Sequence, residues 1–152
     1  MAASVSQSRP SFLLVDGNNI IHAWPDLLEL HQRKRGTAHS ELIRRMGDYQ
    51  SFTGKRIVIV FDGRGAVTSD ERSAEGIQIF YSSSSHTADD IIERLALKYL
   101  PEFDIEVATD DRAEQDIVIG AGGSALSSFQ LRDEWERAEQ DRERWLSRHR
   151  SH

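Results

Sequence analysis

The sequence predicts an α/β domain in three layers: a mostly parallel sheet of four to five strands, covered by helices on both faces. Three observations predict it. Short β-branched runs at Phe12–Val15, Ile57–Phe61, Ile77–Tyr81 and Ile105–Ala108 alternate with helical patterns, which is the order of βαβ units and a parallel sheet. The first two runs are almost continuously apolar, as strands buried on both faces should be. Aspartates follow three of the strands directly, at Asp16, Asp62 and the pair Asp110 and Asp111. Open parallel sheets bind their ligands at that edge, outside the carboxyl ends of the strands.

Size and composition bound the rest. At 152 residues the chain reads as one domain with a helical tail, long enough to bury roughly two-thirds of its surface without staples. It has no cysteine, which excludes disulfides and thiolate metal sites and leaves His, Asp and Glu as ligands. No apolar run approaches the ~18 residues of a membrane span. Met1–Pro10 is small and polar, lacks the apolar stretch of a signal peptide, and is expected to be a disordered leader. The expected division is a leader over 1–10, a folded domain over 11–136 and a charged helical tail over 137–152. The net charge of −6 argues against tight unaided capture of nucleic acid, although a local basic patch can still hold phosphate.

The elements follow in order. A first long helix is expected from Ala38 or Ser40, with Leu42, Ile43, Met46, Tyr49 and Gln50 giving the repeat and Gly54 ending it. A second begins after Thr87 as N-cap; Ala88, Ile91, Ile92, Leu95, Ala96 and Tyr99 form one stripe before Pro101. A short helix follows Asp111, the glycines at 120, 122 and 123 make a turn, and Ser124–Ser127 suits a short fifth strand. From Ser128 the chain is helical and charged, with Phe129, Leu131, Trp135, Ala138, Arg142 and Trp145 on a ragged face. Its early turns are expected to dock and its end, from Arg148, to fray. The serines at 82–85 read as a flexible loop.

The second helix adds an acid to the edge. With Ala88 at zero, Asp89 stands at about 100°, beside the buried face, and Asp90 at about 200°, facing solvent near the positive end of the helix dipole. Asp89 is therefore the expected ligand and Asp90 the alternate. Converging carboxylates repel one another and raise their own pKa values, a cost that a cation removes. Hard oxygen donors without Cys or paired His point to Mg²⁺ or Mn²⁺ rather than Zn²⁺. Such a site suits hydrolysis of a phosphodiester.

The residues also carry a resemblance. Leu14-Val15-Asp16-Gly17-Asn18-Asn19-Ile20-Ile21 resembles the opening signature of NYN domains, a branch of the PIN-like nucleases. The closest similarity is to the YacP-like group, which includes a ribosome-associated mRNA endonuclease. Tyr49-Gln50-Ser51-Phe52-Thr53-Gly54, Val60-Phe61-Asp62-Gly63, Thr87-Ala88-Asp89-Asp90, Ala108-Thr109-Asp110-Asp111 and Glu114-Gln115 support it, in order, over Phe12–Glu136. The resemblance implies a PIN-like fold, Mg²⁺ or Mn²⁺, and endonucleolytic cleavage of RNA. It makes mRNA the expected substrate and the ribosome a candidate partner; the absence of cysteine fits a cytoplasmic location. The resemblance further implies that Asp16, Asp89 and Asp111 hold the metal, that Asp62 stands beside it, and that Asn19 orients the acids. Asp110 stands where serine is more usual, as an extra carboxylate or a bystander. Asn18 stands where many relatives have tyrosine.

Other residues complete the expectation. Arg33, Lys34 and Arg35 form a compact basic run that can grip phosphates in a salt-dependent way. Arg64 and Arg72 flank the loop after Asp62 as further RNA contacts. Trp24 reads as a core anchor; His22, His31, His39 and His86 share no ligand spacing, and only His86 stands where a proton carrier would approach the edge. Two rivals set the contrast: a catalytically silent RNA- or ribosome-binding adaptor on the same fold, and a phosphoacceptor domain. The second wants a lysine after a late strand, and the stretch from Gly120 to Ser128 has none.

Overall fold

A computed structural model describes residues 9–65 and 69–150; the side chains of Arg35, Arg64 and Ser69 lie outside the described residues. The central strand is β1 (Ser11–Asp16). Parallel to it run β2 (Arg56–Gly65) on one side and β5 (Asp104–Ala108) on the other. β4 (Gln78–Ser83) extends the sheet past β2 and β6 (Ser124–Leu126) past β5, again parallel. The order is β3-β4-β2-β1-β5-β6, with β3 (Ser69–Arg72) antiparallel to β4 at one edge. All five parallel strands therefore end at the same edge, and the chain reverses direction across the sheet at β1 and β5.

The period-two alternation of strand side chains builds a core on each face. Leu13, Val15, Ile57, Ile59 and Phe61 face one way. They meet α1 (Gly17–Ala23), α2 (Pro25–Arg33), α3 (Arg35–Thr53) and α6 (Ser128–His149) through Ile20, Leu27, Leu42, Met46 and Leu131. Leu14, Val58, Val60, Ile105 and Val107 face the other way, against α4 (Ala88–Tyr99) and α5 (Arg112–Gly120) through Ile91, Ile92, Ala96 and Val118. Each fully buried Leu or Ile contributes roughly 1.5–3 kcal/mol relative to exposure. The result is the three-layer α/β/α domain expected. Among the described residues no helix is long and apolar enough to cross a membrane.

Polar and aromatic contacts fasten the layers. Trp24 is buried, stacks on Trp135 at 5.8 Å and donates its indole N–H to the Ser128 carbonyl at 3.0 Å, tying α1 and α2 to α6. Arg45 and Arg132 both bond Asp26, at 2.6 and 2.8 Å, and lie over the two tryptophan rings. His22, His31 and His39, from three successive helices, form a run of neighbouring rings that ends on buried Phe61.

Several elements differ from the sequence reading, each for a local reason. The sheet has six strands rather than four or five. The extra one, β3, is Ser-Asp-Glu-Arg, an exposed edge with no apolar residue to betray it. α1 has seven residues and buries only Gly17, Ile20 and Ile21, too few for a repeat. α3 begins at Arg35, ahead of Ala38 or Ser40, and no side chain caps it, so no N-cap marks its start. Ser82 and Ser83, read as loop, belong to β4 and are buried; the Ser82 hydroxyl accepts the Gly63 N–H at 3.0 Å.

One glycine decides how the chain leaves β1. A Cβ on Gly17 would stand 2.4 Å from the Phe61 ring, and Phe61 is fully buried. Gly17→Ala is expected to cost about 2 kcal/mol through overpacking, read as a lower urea midpoint at unchanged slope. In a Phe61→Leu background the added cost should shrink, because the ring that meets the methyl is gone.

Candidate functional site

At the carboxyl edge β1 delivers Asp16, buried at 6 % exposure. One Asp16 oxygen caps α1 by accepting the Asn19 N–H at 3.4 Å, and the other accepts the Thr109 hydroxyl at 3.4 Å. α4 brings Asp89 from its second position, exposed to solvent. α5 brings Glu114 from its first turn, at 4 % exposure. One oxygen from each of Asp16, Asp89 and Glu114 lies within 4.8 Å of the other two. Neither Glu114 oxygen makes a hydrogen bond; its near neighbours are the carboxyls of Asp89 and Asp16 and the Thr109 hydroxyl.

The electrostatics follow from that crowding. Burial pushes Asp16 up to about 6; its hydrogen bonds oppose the rise, and the charges of Asp89 and Asp62 add to it. Burial, then proximity to Asp89 and Asp16, pushes Glu114 up to about 10. Without a cation the crowding favours the protonated form of Glu114. The donor set is hard, oxygen-only and short of positive charge, which is what a divalent cation fits.

The remaining acids have other attachments. Asp111 is the N-cap of α5, its carboxylate accepting the Glu114 N–H at 3.2 Å, so it fixes the turn that carries Glu114 and lies outside the cluster. Asp110 uses both oxygens on Ser128, at 2.7 Å to the N–H and 2.6 Å to the hydroxyl. Asp90 closes a capping box with Thr87 at the start of α4. Asp62, exposed at the end of β2, accepts the Ala88 N–H at 3.4 Å and so fastens the turn that presents Asp89.

Asn18 and Asn19 reach sideways from α1. Asn18 accepts the Asp62 N–H at 2.8 Å and Asn19 the Asp110 N–H at 2.9 Å. Arg33 and Lys34 are exposed where α2 meets α3, with Arg33 3.7 Å from Glu29. The side chains of Arg35 and Arg64 lie outside the described residues. Arg72 pairs with Gln78 at the start of β4, away from the acidic edge, and bonds the Gly76 carbonyl.

Glu114 is the cluster member that the reading of the strand ends passed over. The spacing Asp111-x-x-Glu114 is that of a capping box and reads as helix punctuation. Its signal was the converse: a first-turn glutamate on a helix that begins at the ligand-binding edge.

The family described as the YacP-like NYN domain matches residues 13–152. The chain belongs to that family. Among YacP-like relatives, the uncharacterized protein YacP of Bacillus subtilis is 36 % identical over 135 residues, covering 87 % of this chain and 79 % of the relative. The crystal structure of Rae1 (YacP) from Bacillus subtilis superposes with a TM-score of 0.76 at 35 % identity, over 90 % of this chain and 80 % of that one. A single-substitution variant of the same protein gives 0.79 at 34 % identity, over 93 % and 84 %. The family thus supplies a nuclease-like fold, and the acidic cluster stands at its ligand-binding edge.

The raised carboxyls make stability depend on pH and cation. Asp16 favours the folded, metal-free protein most when protonated. That contribution is whole below its ordinary value of 3.8 and is lost as pH rises through about 6. In EDTA at pH 8, Asp16→Asn is expected to raise Tm by roughly 5 °C, an advantage that disappears by pH 4. Excess Mg²⁺ should stabilise the wild type and not the variant. Thermal unfolding across pH, with and without chelator, checks both signs.

Proposed function

We propose that this protein is a metal-dependent endoribonuclease. The observation that carries the reading is the meeting of Asp16, Asp89 and Glu114 within 4.8 Å, from three separate elements, with two of them buried and raised above the ordinary carboxylate range. Structural acids are normally spread apart or paired with cations; here buried Glu114 stands among two other acids, its oxygens making no hydrogen bond. Mg²⁺ or Mn²⁺ suits these oxygens.

In this reading Asp16, Asp89 and Glu114 would hold the cation, each through a carboxylate oxygen. Asp111 sets the turn that carries Glu114, Asp62 the turn that carries Asp89, and Asn19 holds Asp16 against the end of β5. The bound cation supplies Lewis-acid polarisation of the phosphodiester and acidification of water. The N-termini of α4 and α5 open at the same edge, where their free N–H groups and dipoles favour phosphate oxygens. Arg33 and Lys34, with Arg35 and Arg64, are assigned to the flanking RNA backbone. Asp110 is assigned to holding α6, and Asp90 to capping α4.

Family membership and the resemblance described above support RNA over other phosphodiesters, with mRNA the substrate and the cytoplasm the location. The net charge of −6 favours delivery of that RNA by a larger partner, for which the ribosome is the candidate, over unaided capture.

Labelled single-stranded and structured RNAs, incubated with Mg²⁺, Mn²⁺ or EDTA, test the reading. Metal-dependent internal cleavage is expected, reduced at least ~100-fold by Asp16→Asn and by Glu114→Gln, with the folded far-UV spectrum retained. Cleavage by Asp16→Asn at the wild-type rate would refute the assignment. RNA binding without cutting, on free or ribosome-bound mRNA, would leave an adaptor.

A further inference from the structure

Phe129 stands apart from every other large apolar side chain described. It is 79 % exposed, the highest value among them, and it lies at the second position of α6. Its neighbours Ser127, Ser128 and Gln130 are polar, and the buried face of α6 resumes only at Leu131. A docking surface for a protein needs a contiguous apolar patch. Phe129 presents an exposed ring flanked along the chain by hydroxyls and an amide, which suits a flat, polar-rimmed ligand.

The mount under that ring is stiff. Ser127 and Gln130 close a capping box, at 3.1 and 2.8 Å. Ser128 is held twice by Asp110, whose N–H is held by Asn19, whose own N–H bonds Asp16. β5 and β6 are parallel to β1, so Asp110 and Ser128, which follow them, stand at the same edge as Asp16. Two strand spacings, roughly 10 Å, separate β6 from β1 along that edge.

We propose that Phe129 is a base-stacking residue: it receives the base of a nucleotide flanking the phosphodiester held at the acidic cluster. This rests on the endoribonuclease reading and adds to it a determinant of how single-stranded RNA is held. Stacking on an aromatic face is available to every base, so the contact positions the strand without choosing a sequence. It requires the base to be unpaired, so it selects single-stranded RNA over duplex. The extra carboxylate at Asp110 then has a purpose: with both oxygens on Ser128 it anchors the platform to the strand that flanks Asp16.

The test uses the full chain carrying Asp16→Asn, with Mg²⁺, and single-stranded RNAs of about ten nucleotides bearing an abasic site at each position in turn. Affinity is read by fluorescence anisotropy. Adding Phe129→Ala is expected to weaken binding of the intact RNA roughly ten-fold, and Phe129→Trp to preserve it. One abasic position should carry the same penalty as Phe129→Ala and no further penalty in its presence, a coincidence that a merely structural role would not produce. In the cleaving protein, Phe129→Ala should raise KM and spare kcat. Unchanged affinity in Phe129→Ala, or abasic penalties equal in both backgrounds, would overturn the stacking role while metal-dependent cleavage stands. Failure of the Asp16→Asn protein to bind any RNA, together with no cleavage by the wild type, would bring down the nuclease reading and this proposal with it.

Discussion

Two asparagine side chains hold three strand ends together, and the rest of the edge is built on that. Asn18 reaches to the backbone of β2 at Asp62 and Asn19 to the backbone after β5, while both ride on the helix that Asp16 caps. The arrangement needs α1 to begin in the residue after β1, and Gly17 permits it by lying flat against Phe61. Neighbouring parallel strands need their ends fixed, because nothing in a hydrogen-bond ladder alone sets where each strand stops. Here the stopping points are set by side-chain amides, and the acids inherit their positions from them.

Against that rigid frame the carboxylates are frustrated. Asp16 and Glu114 are buried beside each other and beside Asp89, with too few donors to satisfy them. Folding tolerates this because both faces of the sheet bury continuous aliphatic cores, and a local deficit of a few kcal/mol is small beside the gross stabilisation of such cores. Surrounding polar groups do not relieve the cluster; they orient it. Asp111 and Asp62 are spent on helix starts, and in that role they aim Glu114 and Asp89.

Much of this was legible in the chain, and what was not has physical reasons. The aliphatic runs of β1 and β2 declared buried parallel strands, and the stripe from Ala88 to Tyr99 declared a helix with one wet face. The edge itself was legible because Asp follows strand after strand. Individual attachments were not. Asp110 and Asp111 are adjacent and chemically identical, yet one is consumed by Ser128 from a distant helix and the other by its own next turn. No local pattern distinguishes them, since the deciding partner of Asp110 is eighteen residues on. Glu114 was hidden by the opposite effect, a local pattern too familiar as a cap. β3 and α1 escaped because four polar residues and a seven-residue turn carry no periodicity.

α6 is a rod of 22 residues, about 33 Å long at 1.5 Å per residue, and its burial ends near Ala138. Arg142 still reaches Asp48 of α3 at 3.7 Å, and only the turns beyond it are exposed throughout, while the first turn of α6 is pinned to Asp110. Leu131, Ala138 and the Arg142–Asp48 pair seat the rod on the body, and Ser128 carries its first turn to Asp110. From there Asn19 links Asp110 to Asp16, so one unbroken chain of hydrogen bonds runs from the start of that rod to the carboxylates.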